Sequence, residues 1–208
     1  MRLRRLAIAT SAATALLVAS AANSALADAA RPGQSMTHMK TAAGLASTLE
    51  GAGVVLYVQG GATSAVMGDS IAAPNGQVVF HVPVTGTKGG VQHVGSNIVF
   101  FNTANNQQVQ LRNPVIDLKK GQVIATIPQG SGTPIPVLTI TNASSLKPKA
   151  KTDRGTGIRT TTYSGAQLAI APGVGSALDT LLGLPSGSLP DGTVFGSADV
   201  TLNAKATN

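Results

Sequence analysis

Apolar and polar residues alternate with a period of two along much of the chain. Val78, Phe80, Val82 and Val84 interleave with Val79, His81 and Pro83, the pattern of a strand with one face buried. Runs rich in Val, Ile and Phe recur at close spacing: GVVLYV (53–58), GQVVFHVPV (76–84), SNIVFF (96–101), QQVQLRN (107–113), PVIDL (114–118), QVIATIP (122–128) and IPVLTIT (135–141). Gly, Pro or Asn punctuates their boundaries, as expected of strands joined by short turns. Lys119-Lys120-Gly121 predicts a tight hairpin, with Gly supplying a positive φ. Pro83 lacks a ladder donor and predicts an edge strand or a strand end.

Two segments have helical spacing instead. Thr41 to Leu49 (TAAGLASTL) predicts a short helix capped by its Thr. VGSALDTLLGL (174–184) places Leu178, Leu181 and Leu182 on one face, with Ser176 as a cap and Gly183 and Pro185 as stops. TVFGSADVTL (193–202) predicts a closing strand pair. Many short strands without a βαβ rhythm give an all-β fold, an antiparallel β-sandwich or flattened barrel with one or two short helices.

The N-terminus reads as an address. Arg2, Arg4 and Arg5 precede an apolar stretch, LAIATSAATALLVA (6–19), and Ala25-Leu26-Ala27 offers the small-x-small pattern of a cleavage site before Asp28. The expected organisation is therefore a signal peptide at 1–27, a flexible arm at 28–40 and a single β-sandwich domain at 41–208. The apolar stretch is too short for a permanent anchor, and no later run predicts a transmembrane segment. The expected location is secreted, extracellular or cell-wall associated.

Composition narrows the chemistry. The chain has no cysteine, so disulfides, thiol catalysis and thiolate metal sites are excluded. The formal charge is +7; without the three leader arginines, twelve basic side chains face eight acidic ones. Four of the twelve, Lys147, Lys149, Lys151 and Arg154, crowd into SLKPKAKTDR, inside a low-order insertion predicted at 144–158. Such a loop either contacts an anionic cell-wall polymer or lipid headgroups, or simply solvates the surface. A nucleic-acid partner is not expected, because aromatic side chains that stack on bases are scarce.

Catalytic motifs are weak. Ser144-Ser145-Leu146-Lys147 matches S-x-x-K, but Pro148 follows and no S-D-N or K-T-G partner exists. Gly173-Val174-Gly175 mimics a dinucleotide fingerprint without its βαβ setting and reads as a strand-to-helix turn. The acids are scattered, with no calcium loop, and no enzyme is expected. Of three histidines, His38 falls in the predicted arm and His81 on an outward strand position. His93 sits among glycines before an apolar strand, where it is either a ligand or a hydrogen-bonding turn residue.

Around His93 the order of features is Phe80-His81-Val82-Pro83-Val84-Thr85-Gly86, His93-Val94-Gly95-Ser96, Asn113-Pro114-Val115-Ile116 and Gly121-Gln122-Val123-Ile124-Ala125. With GAQLAIAPGVGSALDTLLGL and GTVFGSADVTL at the end, this order resembles the HtaA-like family of secreted actinobacterial haem-binding domains over residues 50–203. The family's Trp and Ser-Phe-Arg segment has no counterpart; only Tyr57-Val58-Gln59-Gly60 matches its end. The resemblance implies haem as cofactor, with Tyr57 as the iron ligand and His93 hydrogen-bonded to the phenolate, a donor set suited to ferric iron.

Overall fold

The computed structural model describes residues 34–205; the expected signal peptide and residues 28–33 lie outside the described residues. The chain runs β1 (Met36–Thr41), α1 (Leu45–Gly51), β2 (Val54–Gly60), β3 (Thr63–Met67), β4 (Gln77–Pro83), β5 (Val91–Gln92), β6 (Ser96–Asn102) and β7 (Gln107–Asp117). It continues through β8 (Gln122–Thr126), β9 (Pro134–Ile140), a 3-10 turn (Ala143–Ser145), β10 (Lys149–Thr152), β11 (Ile158–Ile170), α2 (Val174–Leu182) and β12 (Val194–Lys205). One antiparallel sheet has the order β2-β6-β7-β8-β9-β11-β12-β1-β4-β3, with β5 beside β7 and β10 beside β11. It curls into a nearly closed, barrel-like shape, as the alternating pattern leads one to expect. No described helix is long and apolar enough to cross a membrane.

The inward face carries the core. Phe80, Phe100 and Phe195 are fully buried, and the rings of Phe100 and Phe195 pack with centroids 6.3 Å apart. Burying one such side chain contributes about 1.5–3 kcal/mol. Leu45 and Leu49 of α1 and Leu178 and Leu182 of α2 join the same core. The helices lie at the end where β2 and β7 begin: the Leu182 carbonyl accepts Asn102 Nδ2 at 2.8 Å, and the Gly53 carbonyl accepts the Thr103 N–H at 2.8 Å. At the opposite end the chain turns from β2 into β3 at Gly60 (φ 79°), where a Cβ would collide with the Gly95 carbonyl. Only glycine fits that corner.

Five expectations are corrected. Residues 36–40 are not a flexible arm: they form most of β1, hydrogen-bonded between β12 and β4. Thr37, Met39 and Thr41 point inward and are buried, but two threonines in those positions hide the period-two signal. Thr41 consequently caps no helix; its Oγ1 accepts the Val78 N–H at 3.0 Å, and Gly44 opens α1. Gly173, rather than Ser176, occupies the cap position of α2, and the Asp191 carboxylate accepts the N–H groups of Gly173 and Gly175. The insertion at 144–158 is not wholly irregular: it contains part of the 3-10 turn and all of β10, which pairs with β11. In addition, 107–113 and 114–118 are not separate strands: β7 passes through Asn113 (φ 49°) and Pro114 with a bulge.

Candidate functional site

His93 lies just before β6 and is 1 % exposed. Its Nδ1 is 2.9 Å from the Pro114 carbonyl on β7, and its Nε2 is 2.8 Å from Thr37 Oγ1 on β1. A carbonyl only accepts, so Nδ1 carries the proton, and the threonine hydroxyl then donates to Nε2. Strands β7 and β1 are far apart in the sheet order. The imidazole therefore braces two walls across the interior. Burial lowers its pKa below 6.5, with the Pro114 hydrogen bond opposing in part, so the ring is neutral at pH 7.

The cavity beside His93 is apolar and holds about 30 Å³; Met39, Val82, Ile98, Leu111 and Val137 are among its walls. That is about the space of one water molecule. Ligand pockets for organic cofactors run to roughly 300–1,000 Å³.

Tyr57 is elsewhere. Its neighbour Leu56 belongs to the core, so the phenol lies on the outward face of β2. There its hydroxyl donates to Gln108 Oε1 at 3.3 Å and accepts from Gln59 Nε2 at 3.5 Å. The network continues as Gln110 Nε2 to Gln59 Oε1 and Arg112 Nε to Gln110 Oε1. Tyr57 and His93 thus occupy opposite faces of the sheet and form no joint site. The residues do not fit the tyrosinate–histidine arrangement that the resemblance implies.

Two features at the end away from the helices have binding geometry. The first is a ribbon built by β10, β11 and β12. Lys149 pairs with Thr162 and Lys151 with Thr160; those threonines pair in turn with Thr201 and Asn203. Val200 points into the core and Leu202 packs against it, so alternation puts Lys149, Lys151 and this Thr/Asn row on the outward face. Thr160 Oγ1 donates to Asn203 Oδ1 at 2.7 Å. Between 147 and 159 stand Lys147, Lys149, Lys151, Arg154 and Arg159 against a single acid, Asp153. The N–H groups of Thr156 and Gly155 bond the Asp153 carboxylate and lower its pKa. It serves the turn at the ribbon tip, whose strands hold the lysines in register.

The second feature is a half-open cleft of about 580 Å³ at the barrel mouth. Tyr163 and Leu202 line it from the ribbon, Ile116, Leu118, Lys119 and Lys120 from the β7–β8 hairpin, and Val91 from β5. Asp117 Oδ1 accepts the N–H groups of Lys119 and Lys120, and its Oδ2 is 3.8 Å from Lys120 Nζ. Neither Tyr163 nor this lysine pair carries a binding signal in the sequence. Tyr163 ends a Thr-rich run that hides β11, and the lysines read only as turn residues.

Comparison of the chain with protein-family models, curated proteins and solved structures finds no match.

Proposed function

We propose that the protein is an exported, non-catalytic binding module of the cell envelope, held to anionic wall polymer by the β10–β11–β12 ribbon. One observation carries this reading: Lys149 and Lys151 project from paired strands beside a row of hydroxyl and amide groups. Cations fixed at a two-residue spacing meet a repeating anion without first losing the freedom of a mobile loop. The neighbouring Thr and Asn side chains supply donors for phosphate or carboxylate oxygens. Export rests on the leader-like residues 1–27. Binding rather than catalysis agrees with the position of His93, whose two ring nitrogens are both committed to structural hydrogen bonds.

The test is retention on purified cell wall and on immobilised polyphosphate, with neutral dextran as the control. Retention at low salt should fall as NaCl is raised, because screening shortens the reach of exposed charges from about 30 Å at 0.01 M to about 3 Å at 1 M. Each lysine removed near an anionic surface costs about 1 kcal/mol, roughly fivefold in affinity. The double variant Lys149→Gln/Lys151→Gln should therefore bind roughly 25-fold more weakly. Retention indifferent to both salt and variant contradicts the reading.

A second reading rests on the mouth cleft. Its size suits a small ligand, and the apolar walls with Lys119 and Lys120 at hand favour a flat or chain-like apolar body bearing an acidic group. An anionic naphthalene dye should fluoresce with the wild type and with Lys149→Gln/Lys151→Gln but not with Tyr163→Ala, which separates this reading from the first.

A further inference from the structure

We infer that His38 and His81 form an outward-facing site for a late first-row divalent transition metal ion, with Cu²⁺ preferred. Two of the chain's three histidines are brought into register across β1 and β4, 43 residues apart. Their Nδ1 atoms face each other at 2.8 Å, and the rings stand edge to face with centroids 4.7 Å apart. Both lie on the outward face, since their neighbours Thr37, Met39, Phe80 and Val82 are buried.

At 2.8 Å the two nitrogens share a proton: one ring donates and the other accepts. A metal ion replaces that proton. With metal–nitrogen bonds of about 2.0 Å, two cis ligands of a tetragonal Cu²⁺ stand about 2.8 Å apart, so the nitrogens already have the spacing and the rings need only turn their lone pairs toward the ion. Paired strands fix the Cα positions, which leaves small ring rotations to do this. Asp199 stands in register with His38 on β12; its Oδ1 accepts the Gly165 N–H at 2.7 Å, and its charge favours a cation nearby. Lys40 follows two residues along β1 and opposes it. Among the described residues no cluster of three or more His, Cys, Asp or Glu side chains has metal-binding geometry, and the two imidazoles are the ligands of the proposed site. Two imidazoles suit Cu²⁺ best, because affinities at nitrogen sites rise to copper and fall at zinc.

The test is titration of the full chain with CuCl₂, followed by electron paramagnetic resonance and by paramagnetic broadening in NMR spectra. One equivalent should bind with nitrogen hyperfine structure from two imidazoles. Broadening should appear first at residues paired with the two histidines, namely Asp199 and Thr63. His38→Gln and His81→Gln should each weaken binding at least tenfold, and MgCl₂ should not compete. Broadening centred elsewhere in the wild type, or unchanged copper binding in the double variant, overturns the site. The wild-type NMR readout stands even if a variant folds poorly.

Discussion

Replacing His93 by alanine removes the brace between β1 and β7. The Thr37 hydroxyl and the Pro114 carbonyl are left without their partner in an apolar interior. An unsatisfied buried polar group costs about 1–3 kcal/mol, and the enlarged void adds a cavity term. The expected loss is about 3–6 kcal/mol, a large part of the total stability of an ordinary domain. In a chain of this size it lowers Tm by roughly 10–20 °C. The pH dependence gives a sharper signature. His93 has a folded-state pKa below 6.5, so below pH 6.5 the unfolded chain takes up a proton that the folded chain refuses. Stability from this group is complete above 6.5 and is lost as pH falls toward the folded value, by at most about 1.4 kcal/mol per pH unit. Urea melts at several pH values should show that slope in the wild type, reduced in His93→Gln. Equal slopes in the two proteins, or an NMR titration placing the wild-type ring at or above 6.5, would refute the reasoning.

Other substitutions probe the frame. Gly60→Ala forces a Cβ into the Gly95 carbonyl at a positive φ and should cost about 2–5 kcal/mol in chemical denaturation. Asp179 is buried and accepts the N–H groups of Gly187 and Leu189 at 2.8 and 3.0 Å. Asp179→Ala should therefore cost about 2–4 kcal/mol, with faster amide exchange at Gly187 and Leu189. Removing the chain through Thr41 deletes β1 and separates β12 from β4; circular dichroism should then show no cooperative melt, and a normal melt would contradict the strand's position.

The fold class was legible because most inward positions are Val, Ile, Leu or Phe at a period of two. It became illegible where threonine took that role. Thr37 and Thr41 are inward residues of β1, but Thr37 reads as part of an arm and Thr41 as a helix cap, and the three threonines 160–162 of β11 carry no strand signal although they are paired on both sides. The turns at Gly121 and Gly183 were readable from glycine, which adopts the positive φ found there. Sites are harder. His93 stands out among its glycines, but its partners Thr37 and Pro114 are remote in sequence and carry no ligand-like spacing. Tyr57 rests on resemblance alone, and strand alternation turns it outward, away from His93. The His38–His81 pair depends on strand register between β1 and β4, and β1 itself carries no clear strand signal.

The measurement bearing most directly on the function is NMR chemical-shift mapping of the folded chain during titration with polyphosphate. The largest shifts should fall on Lys149–Thr152 and Arg159–Thr162, saturate at low salt and vanish in Lys149→Gln/Lys151→Gln. Shifts confined to the mouth around Tyr163, Lys119 and Lys120, or no shifts at any salt concentration, would contradict the ribbon as the polymer-binding surface.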